Sequence, residues 1–404
     1  MPRQKNFKKL VRSRMAKTGE SYTTARSRFE PAAPPSDPDA ATLSRALAAA
    51  GVVNPVTGAP FTAELLFGLG GGIGFAHLVF VYGPGRAASG LRSEATREDV
   101  ASGAPGPRER SERQEQGPGQ GWPTTVHVDG RYNALYFEKQ GFVETACARL
   151  GVPVRVRPLA NGRTAEAQLR QALAAHAEVA MTVELGRLPD APPVRPMSPR
   201  LVTVSADLTV TGLPRGRVTM SWEDLVAARW THAKKYGGLY LLGTPAGAPD
   251  VPAAVRGSVA RTAECLLAPS STRFDANFGV PGIRRWARLL TDPRDRRGWP
   301  ALFPDPAALR RALDAVVEGL GGTGRGGDAA RGRYAAFLDE AGGDRLAAVA
   351  DSYRQLAQRW TDVTRLAARP DVTTAELAEP LPDLADAEES AALALRAAVG
   401  EERS

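Results

Sequence analysis

The chain has 404 residues, of which 43% are apolar and 24% charged, a composition typical of globular proteins with a sizeable core. This length predicts two or three domains. No run of 18 apolar residues occurs, the opening MPRQKNFKKL lacks an apolar stretch, and only two cysteines are present. We therefore expect no membrane span, no secretory signal, no disulfide framework or zinc ribbon, and a reducing, cytoplasmic location.

The formal net charge of +8 is concentrated at the N-terminus, where residues 1–28 hold nine basic side chains and one acidic side chain. Apolar and basic stripes at helical spacing predict a basic helical hairpin over residues 1–30. Three interpretations of its basic face stay open: contact with nucleic acid, binding of an acidic protein partner, or a solvated surface. The candidate anion contacts are Lys5, Lys8, Lys9 and Arg12.

The proline-rich residues 31–38 predict a linker. Helices are then predicted near 41–50 and 62–67, followed by a strand over 77–82. Residues 84–121 contain very few large apolar side chains and predict a disordered insertion, because such a segment cannot bury enough surface to offset its ordering entropy.

An α+β pattern follows the insertion and gives way to helices alone. Strand-like runs occur at 124–128, 152–157, 179–185, 201–205, 208–211, 217–220 and 239–242. Helical periodicity occurs at 142–150, 164–176, 222–235, 253–267, 282–290, 306–318, 329–340, 344–368 and 387–399. The pattern predicts an α+β domain over 39–246 and an all-helical domain over 247–404.

A glycine-rich segment, GLGGGIGF at 68–75, invites comparison with nucleotide-binding loops. Its spacing does not fit a dinucleotide fingerprint, because Ile73 or Phe75 stands where the third glycine is needed. A following Lys-Ser/Thr pair, which a P-loop requires, is absent. We predict a structural glycine loop that allows close packing between a helix and a strand, formed by Gly68, Gly70, Gly71, Gly72 and Gly74.

The remaining reactive side chains show no catalytic or metal-binding spacing. Cys147 and Cys265 lie in helical segments with apolar neighbours, which predicts buried, unreactive thiols. A structural or surface role is predicted for each histidine, and the sequence indicates no metal and no cofactor. The four histidines are His77, His127, His176 and His232.

Several segments, in order, resemble one family. LSRALAAAG and FTAELLFGLGGGIGF are similar to the opening of the butirosin biosynthesis protein H N-terminal domain, and GFVETACARLGVPVRV and RVTMSWEDLVAAR are similar to its later blocks. NFGVPGIRRWARLL, RYAAFLDEAG and the helix around Trp360 resemble the helical domain of unknown function that commonly follows it.

The resemblance implies a papain-like fold in bacterial secondary metabolism. It also implies acyl transfer from a carrier protein to an aminoglycoside amine, through a cysteine at the first helix N-terminus and a histidine on a later strand. At the corresponding positions this chain has DAAT, residues 39–42, and Arg200 with Leu201, so both members of the pair are absent. The nearest hydroxyls are the candidate nucleophiles Thr42 and Ser44, which lack a base.

Two functions from different classes follow. The first is a divergent acyl or peptidyl transferase acting on an acyl carrier protein and a small-molecule amine. The second is a non-catalytic, degenerate member, a pseudoenzyme that binds a carrier protein, a peptide or a small molecule. A weaker third hypothesis is nucleic-acid association through residues 1–28.

Overall fold

The computed structural model describes residues 37–81, 124–131, 140–159, 161–188, 199–214, 216–229, 238–269, 275–321 and 327–400. The predicted basic hairpin with Lys5, Lys8, Lys9 and Arg12, the predicted insertion at 84–121 and His232 lie outside these residues. From residue 36 onward the chain forms one compact unit.

Helices and strands alternate as far as residue 242, and helices alone follow in the described ranges. This confirms the predicted mixed α+β class with a helical C-terminal region. The strands are β1 (Ile73–Val81), β2 (Thr124–Arg131), β3 (Val154–Arg157), β4 (Glu178–Glu184), β5 (Pro199–Ser205), β6 (Thr209–Leu213), β7 (Gly216–Thr219) and β8 (Leu239–Leu242).

The helices fall into two groups. Those interspersed with the strands are α1 (Pro38–Ala49), α2 (Ala63–Leu69), α3 (Phe142–Arg149), α4 (Gly162–Ala175) and α5 (Trp222–Ala228). The C-terminal group is α6 (Val251–Leu267), α7 (Gly279–Thr291), α8 (Trp299–Leu302), α9 (Pro306–Gly319), α10 (Arg331–Ala341), α11 (Asp344–Ala368), α12 (Thr374–Ala378) and α13 (Leu381–Gly400). No described helix is both long enough and apolar enough to cross a membrane.

The strands form two antiparallel sheets. β1 and β2 pair as a two-stranded ribbon, and the other six strands form a sheet in the order β3-β8-β4-β5-β6-β7. Helix α1 lies against β4, β5 and β6 on one face of the larger sheet. Helices α4 and α5 cover the other face with a separate apolar cluster that includes Leu169, Val183 and Leu225.

The main hydrophobic core crosses the predicted domain boundary at 246/247. It joins side chains of α1, α2, β1, β2 and α3 to those of the C-terminal helices, and it contains the fully buried Trp286, Trp299 and Trp360. The ribbon β1–β2 contacts α7 and α9, and α2 packs against α10. The α+β part and the helical part therefore share one core, because the elements before residue 150 bury their apolar faces against the later helices.

The first helix begins earlier than predicted. Asp37 caps α1 by accepting hydrogen bonds from the backbone N–H groups of Asp39 (3.1 Å) and Ala40 (3.0 Å). Pro38 occupies the first turn, where its fixed φ angle and missing N–H are tolerated. Residues 37 and 38, assigned by sequence to the linker, thus belong to the start of α1.

Candidate functional site

The N-terminus of α1 meets the beginning of β5. The Asp39 carboxylate accepts a hydrogen bond from the backbone N–H of Leu201 (3.0 Å) and lies 3.6 Å from the Arg200 guanidinium. These are the two segments on which the family resemblance places the cysteine and the histidine. In this chain a carboxylate and a guanidinium face each other there, and a guanidinium stays protonated and cannot serve as a general base.

Further charged side chains from distant segments complete this site. Asp37 is buried, and its carboxylate lies 3.0 Å from Arg131 at the end of β2 and 3.6 Å from Arg333 on α10. We name the set of Asp37, Asp39, Arg131, Arg200 and Arg333 the α1 charge cluster. Its most accessible side chains are Arg131, 31% exposed, and Asp39, 23% exposed.

The two carboxylates of the α1 charge cluster are shifted in opposite directions. Burial opposes the ionisation of Asp37, but Arg131, the Ala40 N–H and Arg333 together outweigh it and hold its pKa below the ordinary value. For Asp39, burial together with the neighbouring Asp37 charge outweighs Arg200 and raises the pKa. The cluster therefore pairs a firmly ionised acid with one that protonates more readily.

The candidate nucleophiles Thr42 and Ser44 both donate to backbone carbonyls. Thr42 is 3% exposed, and its hydroxyl donates to the Pro38 carbonyl at 2.8 Å. The Ser44 hydroxyl donates to the Phe61 carbonyl at 2.5 Å. Neither bond activates an oxygen for attack, since activation requires a base that takes the hydroxyl proton.

The structural glycine loop offers no cradle for a phosphate. Helix α2 continues through Gly68 and Leu69, and β1 begins at Ile73, so only residues 70–72 connect them. The N–H groups of Gly70, Gly71 and Gly72 donate to carbonyls of α2, the last two in a Schellman arrangement. Phosphate loops need such N–H groups free to face the anion.

The loop glycines instead make room for aromatic rings. A Cβ atom on Gly68 would come within 2.2 Å of the Phe337 ring, and one on Gly70 within 2.1 Å of the Phe142 ring. Gly72 has a φ of +66°, and its Cβ would lie 2.7 Å from the Tyr334 ring. Packing of α2 against α10 and α3 explains these three glycines.

The thiols and the described histidines also lack catalytic surroundings. Cys147 and Cys265 are buried, as predicted, and burial together with Glu144 raises the pKa of Cys147 to about 12. His77 is buried and accepts a hydrogen bond from Trp299 at 3.4 Å, and burial together with Arg285 lowers its pKa to about 3. His127 and His176 are exposed. In the described ranges, no group of three or more His, Cys, Asp or Glu side chains is arranged for a metal ion.

A cleft of about 440 Å³ opens beside the other end of α1. Its walls come from the start of β4 and the end of β8, and its floor from Ala46, Ala49 and Ala50 at the end of α1. Tyr240 also lines the cleft, and its hydroxyl is 3.3 Å from the Thr182 hydroxyl. The volume lies within the usual range for ligand sites.

Three members of the α1 charge cluster, Asp37, Arg131 and Arg333, are absent from the residues that the sequence predicts. Arg131 ends a strand with alternating burial, and Arg333 lies in a helix whose other inward positions are mostly apolar. A charged residue in such a position is a signal of a buried partner. Without the fold, nothing identifies that partner.

Comparison with known families and proteins gives one result for the C-terminal part. Residues 223–395 match the family model described as domain of unknown function DUF4872. The match begins at the second residue of α5, includes β8, and ends within α13. No curated protein gives a significant match to the chain.

Proposed function

We propose that this chain is a papain-like protein, similar to the butirosin biosynthesis protein H N-terminal domain, that lacks the Cys–His pair and acts by binding. The observation that carries this proposal is the contact of Asp39 with Leu201 and Arg200. Segments separated by about 160 residues meet where the resemblance expects a catalytic pair, and they carry side chains that cannot perform its chemistry.

Three candidate nucleophiles, Cys147, Thr42 and Ser44, support binding over transfer. Acyl transfer through a covalent intermediate needs an accessible nucleophile and an adjacent base. Cys147 is 0% exposed with a pKa raised to about 12, so it stays a thiol at neutral pH. Thr42 and Ser44 donate to carbonyls. We therefore favour a pseudoenzyme in secondary metabolism whose ligand is an acyl carrier protein, a peptide or a small-molecule amine.

The proposal is tested with the full chain and an aminoacyl thioester of N-acetylcysteamine, which imitates a carrier-bound acyl chain, in the presence of an aminoglycoside. We expect thiol release no faster than in buffer, together with saturable thermal stabilisation of the protein by the thioester or the aminoglycoside. Thr42→Val and Ser44→Ala are matched controls for hidden hydroxyl chemistry. Turnover by the wild-type chain would overturn the proposal, and its loss in either control would identify the hydroxyl responsible. The absence of saturable stabilisation by the thioester, by the aminoglycoside and by a short peptide would overturn it as well.

A further inference from the structure

The cleft beside α1 is a fork between two strands of the larger sheet. β4 and β8 pair only at Ala180–Tyr240 and Met181–Leu239. Continued in the same register, the ladder would run through four more pairs, and the eight residues of those pairs all line the cleft. The four pairs are Val179–Leu241, Glu178–Leu242, Ala177–Gly243 and His176–Thr244.

The register also shows which backbone groups face the fork. The N–H of Thr182 donates to the Gly238 carbonyl at 2.8 Å, which makes this a narrow, hydrogen-bonded pair. Narrow pairs recur every second residue in an antiparallel ladder, so Glu178 and Leu242 stand at the next narrow position after Ala180–Tyr240. Their backbone N–H and C=O groups therefore point from the two strands into the fork.

The opposite edge of β8 is already paired. The N–H of Gly243 donates to the Pro153 carbonyl at 2.8 Å, and Leu241 pairs with Arg155. Backbone direction alternates along a strand, so Leu242 directs its polar groups away from β3 and toward β4. The fork is thus bordered by two strand edges. The N–H of His176 already donates to the Ala172 carbonyl of α4 at 2.9 Å, so Glu178 and Leu242 are the narrow position whose polar groups face the fork.

The lining defines the chemistry of an occupant. Small side chains, Ala46, Ala49 and Ala50, form the floor on the α1 side, and Leu241 and Leu242 lie on the β8 wall. The ionisable side chains of His176 and Glu178 lie at the outer part of the fork, where both residues are at least partly exposed. Four extended residues span about 13 Å, which matches the four unmade pairs.

We propose that the β4–β8 fork binds a short, extended, uncharged peptide segment of about four residues, which inserts as an additional strand and forms hydrogen bonds on both edges. This inference rests on the proposed function in one respect: it assumes that the protein binds its ligand and does not transform it. Recognition through main-chain hydrogen bonds gives affinity, and the alanine floor accepts small or branched apolar side chains.

The probe is fluorescein-labelled Val-Ala-Val-Ala-amide, titrated against the full chain by fluorescence anisotropy. We expect saturable binding. N-methylation of alternate residues removes the donors of one edge and should weaken binding about tenfold or more, since the hydrogen bonds are lost and the methyl groups clash with the strand edge. Equal affinity for the methylated peptide, or no saturation, would overturn strand insertion.

Substitutions that fill the fork test whether the peptide binds there. Ala49→Phe fills the floor from an exposed position at the end of α1 and should weaken binding about tenfold, which corresponds to about 1.4 kcal/mol. Ala177→Phe, on the β4 side, is a second filling variant in case the first does not fold. Ala347→Phe, at an exposed position of α11, is the matched control and should bind like the wild type. Unchanged binding in both filling variants would overturn the location.

Two further outcomes separate this inference from the proposed function. Thioester turnover by the chain would overturn the non-catalytic function, whatever the peptide does. Absence of peptide binding in a chain that performs no turnover would overturn the fork assignment alone. Pantetheine, which is also an extended chain with secondary amides, is titrated in parallel, and tighter binding of pantetheine than of the peptide would overturn the peptide assignment.

Discussion

Two arginines of α10, separated by one residue, enter two different ion networks. Arg331 is fully buried and pairs at 2.7 Å with the equally buried Glu388, which also accepts a hydrogen bond from the Trp360 indole at 2.6 Å. We name Arg331, Trp360 and Glu388 the sealed network. Arg333 instead joins the α1 charge cluster, in which Asp39 and Arg131 remain partly exposed.

The difference separates a structural network from a reachable one. In the sealed network, the guanidinium of Arg331 also donates to the Gly130 carbonyl at 2.5 Å and to the Ala329 carbonyl at 2.8 Å. A buried ion pair with these additional bonds fixes the position of β2 against the helices. The α1 charge cluster holds two carboxylates at one helix end and has an accessible side. Of the two, the α1 charge cluster is therefore the network that solvent or a ligand can reach.

The largest expected effect comes from breaking the sealed network. Glu388→Ala leaves the Arg331 charge buried without its partner and should lower the free energy of unfolding by about 3–5 kcal/mol. The neighbouring Glu389→Ala removes a pair with Arg284 in which both side chains are more than 40% exposed, and it should cost about 0–1 kcal/mol. Urea denaturation of both variants measures the comparison.

Replacing both Arg331 and Glu388 separates the contribution of the buried charges from that of side-chain packing. Arg331→Met with Glu388→Leu removes the two buried charges together, and it should recover at least half of the stability that Glu388→Ala loses. A Glu388→Ala protein within about 1 kcal/mol of the wild type would show that the buried pair contributes far less than this typical value.

Substitutions in the glycine loop test how tightly α10 packs against this loop through the Tyr334 ring. Gly72→Ala combines a left-handed φ of +66° with a Cβ placed 2.7 Å from the Tyr334 ring. Gly51 has a similar φ of +74°, but a Cβ added there would meet no atom within 4 Å. We expect a loss of about 1–2 kcal/mol for Gly51→Ala from the φ angle alone. Gly72→Ala should lose about 1–3 kcal/mol more through overpacking.

Thermal or urea denaturation of the two glycine variants is compared with and without ATP. Equal losses in the two variants would contradict the packing role of Gly72. A change of the melting temperature with ATP that Gly72→Ala abolishes would instead indicate a phosphate site in the loop.

The sequence allowed prediction of most elements because their signals are local. Apolar periodicity and glycine or proline punctuation located α1, α11 and β8 to within a few residues. Four prolines predict a linker up to residue 38, but α1 starts at Pro38, because proline is compatible with the first turn of a helix that Asp37 caps. The periodic run predicts a helix over 387–399, whereas α13 already begins at Leu381, because Leu381 and Leu384 precede that run.

The candidate sites could not be predicted in the same way. The α1 charge cluster joins Asp37, Arg131, Arg200 and Arg333, which four separate segments of the chain supply, and a single sequence contains no signal that pairs them. The β4–β8 fork depends on where a ladder stops, whereas alternation in either strand predicts only that the strand exists. Local sequence patterns therefore predict the individual helices and strands, whereas the contacts between them are seen only in the folded structure.

The smallest expected effect, and the sharpest test of the α1 charge cluster, is a change in how stability depends on pH. The pKa of Asp37 is lowered from 3.8, so its contribution to stability is present above pH 3.8 and is lost as the pH falls toward its folded pKa. The pKa of Asp39 is raised from 3.8, so its ionisation destabilises the fold above that raised pKa. For Asp39, acidification toward pH 3.8 therefore restores stability.

The two carboxylates thus have opposite signs, and matched substitutions separate them. Asn retains the acceptor oxygen in each case, including the cap of α1. Asp37→Asn should lose less stability than the wild type as the pH falls below 3.8, because the lowered pKa of Asp37 places its loss there. Asp39→Asn should lose more stability than the wild type as the pH falls from neutrality toward 3.8, because it lacks the recovery that protonation of Asp39 provides. The measurement is urea denaturation across this range. If both variants change the acid loss in the same direction, the opposite shifts assigned to Asp37 and Asp39 are wrong, and the cluster is a structural network like that of Arg331 and Glu388.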